Sequence, residues 1–329
     1  PMQRRAARHA RKPSTRAAVA AALLAGAACA AAVAGTLVVT NAVAATVTAP
    51  QPAQGFASAE AAASALAAAL AKDDVAALKS ILGSDAADVL DSGDAVADRA
   101  ERAGFLASFR DKHVLTKTND SSYTLEVGAD GWPLPIPIVK RADGRWAFDT
   151  PAGRQEIVYR RIGANELGAI AVCEGFVEAQ REYASVGRDG GPPGVFAQRL
   201  LSSPGRRDGL FWETKEGEPP SPAGPFLAAA SAEGYADGVR SPYHGYYYRQ
   251  LKAQGPNAPG GAKSFLADGR LTKGFALVAY PAQYRAGGVM TFIVGQDGRV
   301  FQKDLGPDTE KLALAMAAFD PDPSWQPVE

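Results

Sequence analysis

The N-terminal 45 residues decide which part of this chain is available to fold. A basic stretch ending at Arg16 is followed by Ala17–Val39, a run of 23 residues without a charged side chain. Asn41–Ala45 then offers the small residues, two apart, that signal peptidase cleaves after. This order is typical of an export signal. We therefore expect residues 1–45 to be a signal peptide and the fold to begin later.

Other fates of this segment are compatible with its sequence. A helix of 23 residues, at about 1.5 Å per residue, is long enough to cross a bilayer and remain as an anchor. Lipidation at Cys29 would need a larger aliphatic residue where Gly26 stands, and Arg4-Arg5 is a weak twin-arginine signal. Cleavage after Ala44 or Ala45 predicts a periplasmic or extracellular protein that has no membrane association once the signal is removed.

The length and charge of the chain indicate how many domains it has and which partners are unsuited to it. At about 100–200 residues per domain, 329 residues predict about two domains. The 35 cations balance the 35 acids only because residues 1–45 carry six cations and no acid, which leaves 29 cations against 35 acids in the rest. This excess of acids argues against a nucleic-acid partner.

Residues 46–55 contain two prolines and predict a linker, so that the first domain spans residues 56–150. Ser58–Ala71 is rich in alanine with leucines four residues apart, and Val75–Leu82 has apolar residues on one side. Both patterns predict amphipathic helices, the second capped by an aspartate. A third helix is predicted around Phe105–Phe109.

The helices of the first domain are followed by strand patterns. Tyr123–Val127 alternates apolar and polar residues, as a half-buried strand does. Trp132–Val139 has proline at every second position, which predicts an edge strand with its leucine and isoleucine face turned inward. Asp143-Gly144 predicts a hairpin turn into a further strand. This α+β order resembles the cone-shaped fold of the nuclear-transport-factor-2-like superfamily.

A connector at residues 151–164 is expected to lead into a second domain at residues 165–329. A long helix is predicted at Asn165–Ala184, with Leu167, Ile170, Cys173 and Val177 on its apolar stripe.

Three strands follow the long helix in the second domain, at Phe275–Tyr280, Val289–Val294 and Arg299–Lys303, and the last two are joined by a tight turn. A helix packed on an antiparallel sheet resembles the globular head of type II secretion pseudopilins. In those proteins the membrane helix runs directly into the head helix, whereas here a whole domain separates them.

Several short motifs along the chain together resemble the bacterial domain-of-unknown-function family 2950. The resemblance covers Phe56 to Trp325. The motifs are Trp132–Ile138, Phe148–Thr150 with Gly153, Arg161–Leu167, Leu201–Gly209, Pro242–Tyr247, Met290–Val294 and Gln302–Gly306. The resemblance implies an exported bacterial protein and supplies no reaction, ligand or catalytic residue.

An aromatic and basic cluster near residue 245 is the first candidate ligand site. His244 lies among Tyr243, Tyr246, Tyr247 and Arg249 at a predicted loop-to-strand junction. An imidazole among phenols would act as a general base or hold an anionic or sugar ligand. The same histidine would otherwise pack locally and order a turn. If the cluster binds a ligand, several of its rings are exposed.

Arg206 and Arg207 are the second candidate, because two adjacent guanidinium groups can clamp a phosphate or carboxylate. Alternatively, they form ion pairs with the body of the protein. Cys173 and two distant histidines do not supply a zinc set, and no glycine-rich phosphate loop is present, so neither a metal nor a cofactor is expected.

These observations favour a non-enzymatic envelope protein with a binding or assembly role, whose partner is another envelope protein or a small ligand. The alternative is a periplasmic enzyme that acts on a glycan or peptide through His244.

Overall fold

The computed structural model describes residues 51–215, 217–224 and 241–328. The predicted signal peptide at residues 1–45 and the first half of the predicted linker lie outside these residues. The described chain is a mixed α+β protein with antiparallel sheets, as predicted. Across these ranges, none of the helices combines the length and the apolar character that crossing a membrane requires.

The described chain divides into two compact units. The first, which we call the N-unit, comprises residues 51–165 together with 282–289. The second, the C-unit, comprises residues 166–281 and 290–328. Within the N-unit, the side-chain amide of Asn165 donates a 2.8 Å hydrogen bond to the carbonyl of Gly287. This bond ties the inserted segment to the N-unit.

The N-unit begins with helices whose starts are capped by side chains. Ser58 accepts a hydrogen bond from the Ala61 N–H, and Asp74 accepts one from the Ala77 N–H. Such caps satisfy amide groups that have no partner within the helix. The helices are α1 (Ala59–Ala71), α2 (Val75–Leu82), α3 (Ala87–Leu90) and α4 (Ala95–Asp111), with a 3₁₀ turn at Ser84–Ala86 before α3.

An antiparallel sheet follows the N-unit helices in the order β1-β2-β4-β5, with β3 paired to β2. The strands are β1 (His113–Asn119), β2 (Ser122–Val127), β3 (Trp132–Pro133), β4 (Ile138–Lys140) and β5 (Trp146–Phe148). The predicted hairpin between β4 and β5 is present, and Gly144 adopts a φ of +80° in its turn. Apolar side chains of the helices and of this sheet form one core.

The proline-rich segment differs in part from its prediction. Leu134 and Ile136 are buried, so the inward apolar face is as predicted. The single predicted strand is nevertheless interrupted between β3 and β4, because prolines have no N–H to donate to a neighbouring strand. Only its first part lies at an edge, since β4 pairs with both β2 and β5.

Helix α5 spans Thr150–Ser185 and takes up the predicted connector at residues 151–164. Pro151 lies in its first turn, where the missing N–H costs nothing, and Val158 and Ile162 are buried. The predicted stripe also needs one correction. Leu167 is 71% exposed, whereas Cys173 and Val177 are buried.

The C-unit contains the later part of α5 and a five-stranded antiparallel sheet in the order β16-β15-β14-β13-β8. Phe176 of α5 packs edge-on against Phe275 beside β13, at 5.6 Å between ring centroids. The three predicted strands are present as β13, β14 and β15. The likenesses to nuclear-transport-factor-2-like and pseudopilin folds stay predictions.

The remaining elements of the C-unit complete its description. They are β6 (Arg199–Leu201), β7 (Gly209–Phe211), β8 (Tyr246–Leu251), β9 (Ala253–Gln254), β10 (Lys263–Ser264), β11 (Leu266–Ala267), β12 (Arg270–Leu271), β13 (Ala276–Pro281), β14 (Met290–Gly295), β15 (Val300–Asp304), α6 (Thr309–Ala315) and β16 (Gln326–Pro327).

Candidate functional site: an apolar cavity in the N-unit

The N-unit contains a cavity of about 530 Å³. This volume lies within the range of about 300–1,000 Å³ that is typical of small-molecule sites. Most of its lining consists of leucine, isoleucine, valine, phenylalanine and tryptophan side chains. They come from α1 to α4, from the first part of α5, from β2 and from the proline-rich segment. The cavity therefore has a predominantly apolar lining.

Two helices present matching faces to this cavity. From α4 come Glu101, Gly104, Phe105 and Ser108, and from α5 come the corresponding positions at 157, 160, 161 and 164. Residues spaced by three, four and seven lie on one side of a helix. The sequence places a regular stripe toward the cavity in each case, with small residues where the wall is open.

The lining of the cavity runs from buried to exposed side chains. Leu78, Ile136 and Leu66 have exposures of 0%, 1% and 4%, so they form the floor. At the exposed end, Trp132 is 40% exposed and contacts Phe105 edge-on, at 6.3 Å between ring centroids. The Arg160 guanidinium lies over the same indole, 5.3 Å from its ring centroid. An aromatic ring and a cation thus meet at the mouth.

Arg161 is a buried cation on the cavity wall. Its Nη1 donates to the Asp88 carbonyl at 2.6 Å and its Nη2 donates to the Val89 carbonyl at 2.5 Å. The same guanidinium lies 3.3 Å from the Glu101 carboxylate. Because the two carbonyls belong to the short helix α3, the cation also complements the negative end of that helix. Arg161 is consequently held in place by the protein itself.

The other two lining arginines differ in how many of their nitrogens donate hydrogen bonds. Arg102 donates from Nε to Asp73 at 2.7 Å and from Nη1 to the Leu90 carbonyl at 3.4 Å. Arg160 donates from Nε to Glu156 at 2.7 Å, and within the described residues its Nη1 and Nη2 make no hydrogen bond. The outer edge of the Arg160 guanidinium is therefore available at the cavity mouth.

A buried carboxyl group lies near this wall. Asp98 accepts a 3.0 Å hydrogen bond from the Ser92 N–H through one oxygen, and its other oxygen has no partner among the described residues. Burial raises the pKa of Asp98, while the hydrogen bonds from Ser92 and the positive charge of Arg161 act in the opposite direction. Asp98 is thus a carboxyl group whose ionised form is disfavoured in the folded protein.

The lining chemistry suits binding. Its charged groups are three guanidinium groups and one carboxylate, and its only hydroxyl belongs to Ser108. Histidine, cysteine, lysine and tyrosine, which supply most nucleophiles and general bases, are absent from the lining. Throughout the described ranges, no three potential metal ligands of the histidine, cysteine or carboxylate type are grouped together.

The structure places the predicted cluster around His244 at a two-residue turn of the C-unit. Tyr243 and Tyr246 exchange backbone hydrogen bonds of 2.8 and 3.1 Å. His244 and Gly245 adopt φ values of +47° and +75° between them, as a tight hairpin turn requires. The His244 ring stacks on Tyr243 at 4.0 Å between centroids. This geometry matches the alternative in which the histidine orders a turn.

Two tyrosines of this cluster are buried in the C-unit. Tyr243 and Tyr246 are 2% and 0% exposed, and the Tyr246 hydroxyl donates to the Met290 carbonyl at 2.9 Å. Burial raises the pKa of Tyr246 far above its ordinary value. Tyr246 begins β8 and Tyr243 pairs with it across the turn, and both rings are buried.

The remaining cluster members are half-buried. The Tyr247 ring packs near Tyr280, at 5.7 Å between centroids. Arg249 donates from Nη2 to the carbonyls of Ala313 and Met316 at 2.6 and 2.5 Å, where α6 ends. Burial lowers the pKa of Arg249. Its guanidinium is engaged with the end of a helix.

Arg206 and Arg207 form ion pairs with the body of the C-unit, which was the second alternative for them. Arg206 pairs through two nitrogens with the Asp189 carboxylate, and Arg207 lies 3.3 Å from Glu218. No residue of either predicted site lines the N-unit cavity. The cavity and the predicted sites are separate features of the chain.

The residues at the cavity mouth are not among the sites that the sequence predicts. In sequence, Trp132 indicates only the start of an edge strand, and Arg160 and Arg161 indicate only the charges of a connector. A signal is present, because residues 157, 160, 161 and 164 have the spacing of a helix face. These four positions precede Asn165, where the predicted helix begins, so the prediction did not include them in a helix.

The fold and the cavity define a class of protein: two α+β units, of which the first holds an apolar cavity with a cationic mouth. Residues 53–328 match the model of a family described as "Protein of unknown function (DUF2950)", and the chain belongs to that family. Neither a curated protein nor a solved structure matches the chain.

Proposed function

We propose that the protein is an exported, non-enzymatic binding protein of the bacterial envelope, and that its N-unit holds a small apolar ligand. The observation that carries this proposal is the cavity of about 530 Å³, whose walls are predominantly apolar. A ligand that covers such walls removes apolar surface from water, which stabilises the complex by about 25 cal/mol per Å².

Export rests on the order of basic, uncharged and small residues in positions 1–45 and on the bacterial family resemblance. If the signal is cleaved, the mature protein begins at Ala45 or Thr46 and is recovered in the soluble fraction. N-terminal sequencing of the protein isolated from cell fractions tests this. A membrane-bound product that still begins at Met2 contradicts it.

Binding in the cavity can be tested by closing its mouth. Gly104 and Ala164 line the exposed end from α4 and α5, and both are exposed. A Cβ atom at Gly104 would meet no heavy atom within 4 Å. The variants Gly104→Phe and Ala164→Phe would therefore add a ring at the mouth without a clash at the backbone.

Gly163 supplies the matched control. It is also an exposed helical glycine, and a Cβ atom there would likewise meet no heavy atom within 4 Å, yet it does not line the cavity. Binding of the neutral dye Nile red is measured by its fluorescence increase in an apolar environment. We expect saturable binding to the wild type and to Gly163→Phe, and at least about tenfold weaker binding to Gly104→Phe and Ala164→Phe.

The outcome that contradicts the proposal is equal dye binding in all four proteins, or no saturable binding to the wild type. Urea unfolding midpoints of the variants show whether each is folded. Because two plugging variants lie on different helices, failure of one to fold leaves the other as the test.

A further inference from the structure

The cavity mouth carries information about the ligand beyond its apolar body. This inference rests on the proposed function of the N-unit cavity. We infer that the ligand is a single-chain amphiphile with a carboxylate head, that Arg160 binds this head at the mouth, and that the alkyl chain extends toward Leu78.

The hydrogen-bond pattern selects Arg160 from the three lining arginines. Arg161 is 6% exposed and donates its nitrogens to two carbonyls and to Glu101. Arg102 is held by Asp73 and by the Leu90 carbonyl. Arg160 uses only its Nε, toward Glu156, and within the described residues its two terminal nitrogens remain available. A planar pair of N–H groups matches the two oxygens of a carboxylate.

The terminal nitrogens of Arg160 and their position at the mouth favour an anion at this point. Each lining arginine has a carboxylate partner, and the partner of Arg160, Glu156, contacts only its Nε. Trp132 keeps the Arg160 guanidinium beside the opening through a cation–π contact of 5.3 Å. An anionic head would gain a charge-assisted hydrogen bond there without entering the apolar interior.

The apolar lining behind the mouth favours an alkyl chain behind the head. The side chains that form the floor, Leu66, Leu78 and Ile136, are at most 4% exposed, whereas the mouth residues Trp132 and Gly104 are open to solvent. Each methylene group that moves from water to such a floor strengthens binding about fourfold. Affinity should therefore rise with chain length and level off when the cavity is filled.

Displacement of Nile red by dodecanoate, dodecanol and dodecylammonium, each below its micelle concentration, separates the head from the chain. We expect dodecanoate to bind the wild type about tenfold more tightly than dodecanol, and dodecylammonium to bind most weakly. In Arg160→Gln the affinities for dodecanoate and dodecanol, compared within the same protein, should become equal.

Arg154 is the matched control for this experiment. It lies on the same helix, has a side chain exposed to a similar degree, and pairs with Asp88 outside the cavity lining. Arg154→Gln should keep the carboxylate preference. A series from octanoate to hexadecanoate should show about fourfold tighter binding per methylene group up to a plateau.

The possible failures are distinguishable. Equal affinity for dodecanoate and dodecanol in the wild type overturns the carboxylate head and leaves the apolar site intact. A carboxylate preference that persists in Arg160→Gln overturns the role of Arg160. If the dye binds saturably but none of the alkyl compounds displaces it, this inference is wrong and the apolar site stands. If the dye itself does not bind the wild type saturably, both this inference and the proposed function are wrong.

Discussion

Arg161 shows how a buried charge can serve the architecture of a binding cavity rather than its ligand. Its guanidinium is held by the carbonyls of Asp88 and Val89 at 2.6 and 2.5 Å and by Glu101. Removing one partner from a set of buried hydrogen bonds leaves the other polar groups without compensation. The neighbouring Arg160 is 46% exposed on its side chain and offers the contrasting case.

We predict that Arg161→Leu lowers the free energy of unfolding by about 2–3 kcal/mol, because two partly buried carbonyls lose a charged donor. Arg160→Leu, the same substitution one position earlier, should change it by less than about 0.5 kcal/mol. Urea unfolding without ligand measures both. Equal effects of the two substitutions would show that burial of Arg161 contributes nothing specific.

The raised pKa of Asp98 should make the free energy of unfolding depend on pH. Since the folded-state pKa is raised above the ordinary value of 3.8, the unfolded carboxyl ionises first as the pH increases. The native state then loses stability from about the unfolded pKa up to the raised folded pKa, and no further beyond it. Asp98→Asn cannot ionise at this position and keeps an oxygen that accepts from the Ser92 N–H.

The stability of Asp98→Asn relative to the wild type should therefore increase with pH through this window and become constant above it. Urea unfolding of both proteins from about pH 3 to about pH 8 gives the difference. A relative stability that decreases with pH would mean that the native environment favours the ionised form.

At the scale of elements, the close approach of α5 to the proline-rich segment sets the position of the cavity wall. A Cβ atom at Gly153 would lie 2.3 Å from the Pro135 carbonyl oxygen, closer than any packed side chain allows. Gly163, further along the same helix, has no heavy atom within 4 Å of that position. The two glycines thus have different physical reasons for being present.

We predict that Gly153→Ala destabilises the protein by at least about 2 kcal/mol, since the helix must move away from a rigid backbone. Gly163→Ala should stabilise it by about 0.5–1 kcal/mol, as alanine is the better helix former. Thermal or urea unfolding of the pair tests this. A neutral Gly153→Ala would contradict the close approach.

The elements with regular patterns could be predicted from the sequence. Alanine and leucine spacing locates α1 and α2, and the tight turn at Gly295–Gly298 locates β14 and β15 on either side of it. The start of α5 escapes prediction because three arginines and a proline suggest an exposed connector. The sequence does not distinguish an exposed arginine from a buried one. Arg160 is exposed, whereas Arg161, the next residue, is buried and donates hydrogen bonds.

The candidate site was harder to predict than the fold. An aromatic cluster such as Tyr243–Tyr247 has the same composition whether it faces a ligand or the core, and only the tertiary fold decides between them. The cavity is lined by side chains that are far apart in sequence, from Leu66 to Ala164. No local motif encodes such a space. It follows from packing that leaves a volume unfilled.

For the whole molecule, the number of cysteine thiols shows whether the predicted signal peptide has been removed. Cys173 is buried, and burial raises the pKa of its thiol, so it should not react with a thiol reagent in the native protein. The sequence has one other cysteine, Cys29, within the predicted signal peptide.

If the signal is removed, the denatured protein from the envelope fraction should contain one reactive thiol per chain, and the native protein none. Titration with a chromogenic disulfide in the presence and absence of guanidinium counts them. Two thiols per denatured chain would mean that residues 1–45 are retained, and a thiol of Cys173 reactive in the native state would contradict its burial.

Uptake of an apolar ligand by the N-unit cavity can be tested by the heat-capacity change on binding. Burial of apolar surface gives a negative heat-capacity change, whatever the sign of the enthalpy at one temperature. Titration calorimetry of dodecanoate at several temperatures should show this negative change for the wild type and for Gly163→Phe, with binding lost in Gly104→Phe and Ala164→Phe. A heat-capacity change near zero, or undiminished binding to both plugged variants, would mean that the cavity does not take up an apolar ligand.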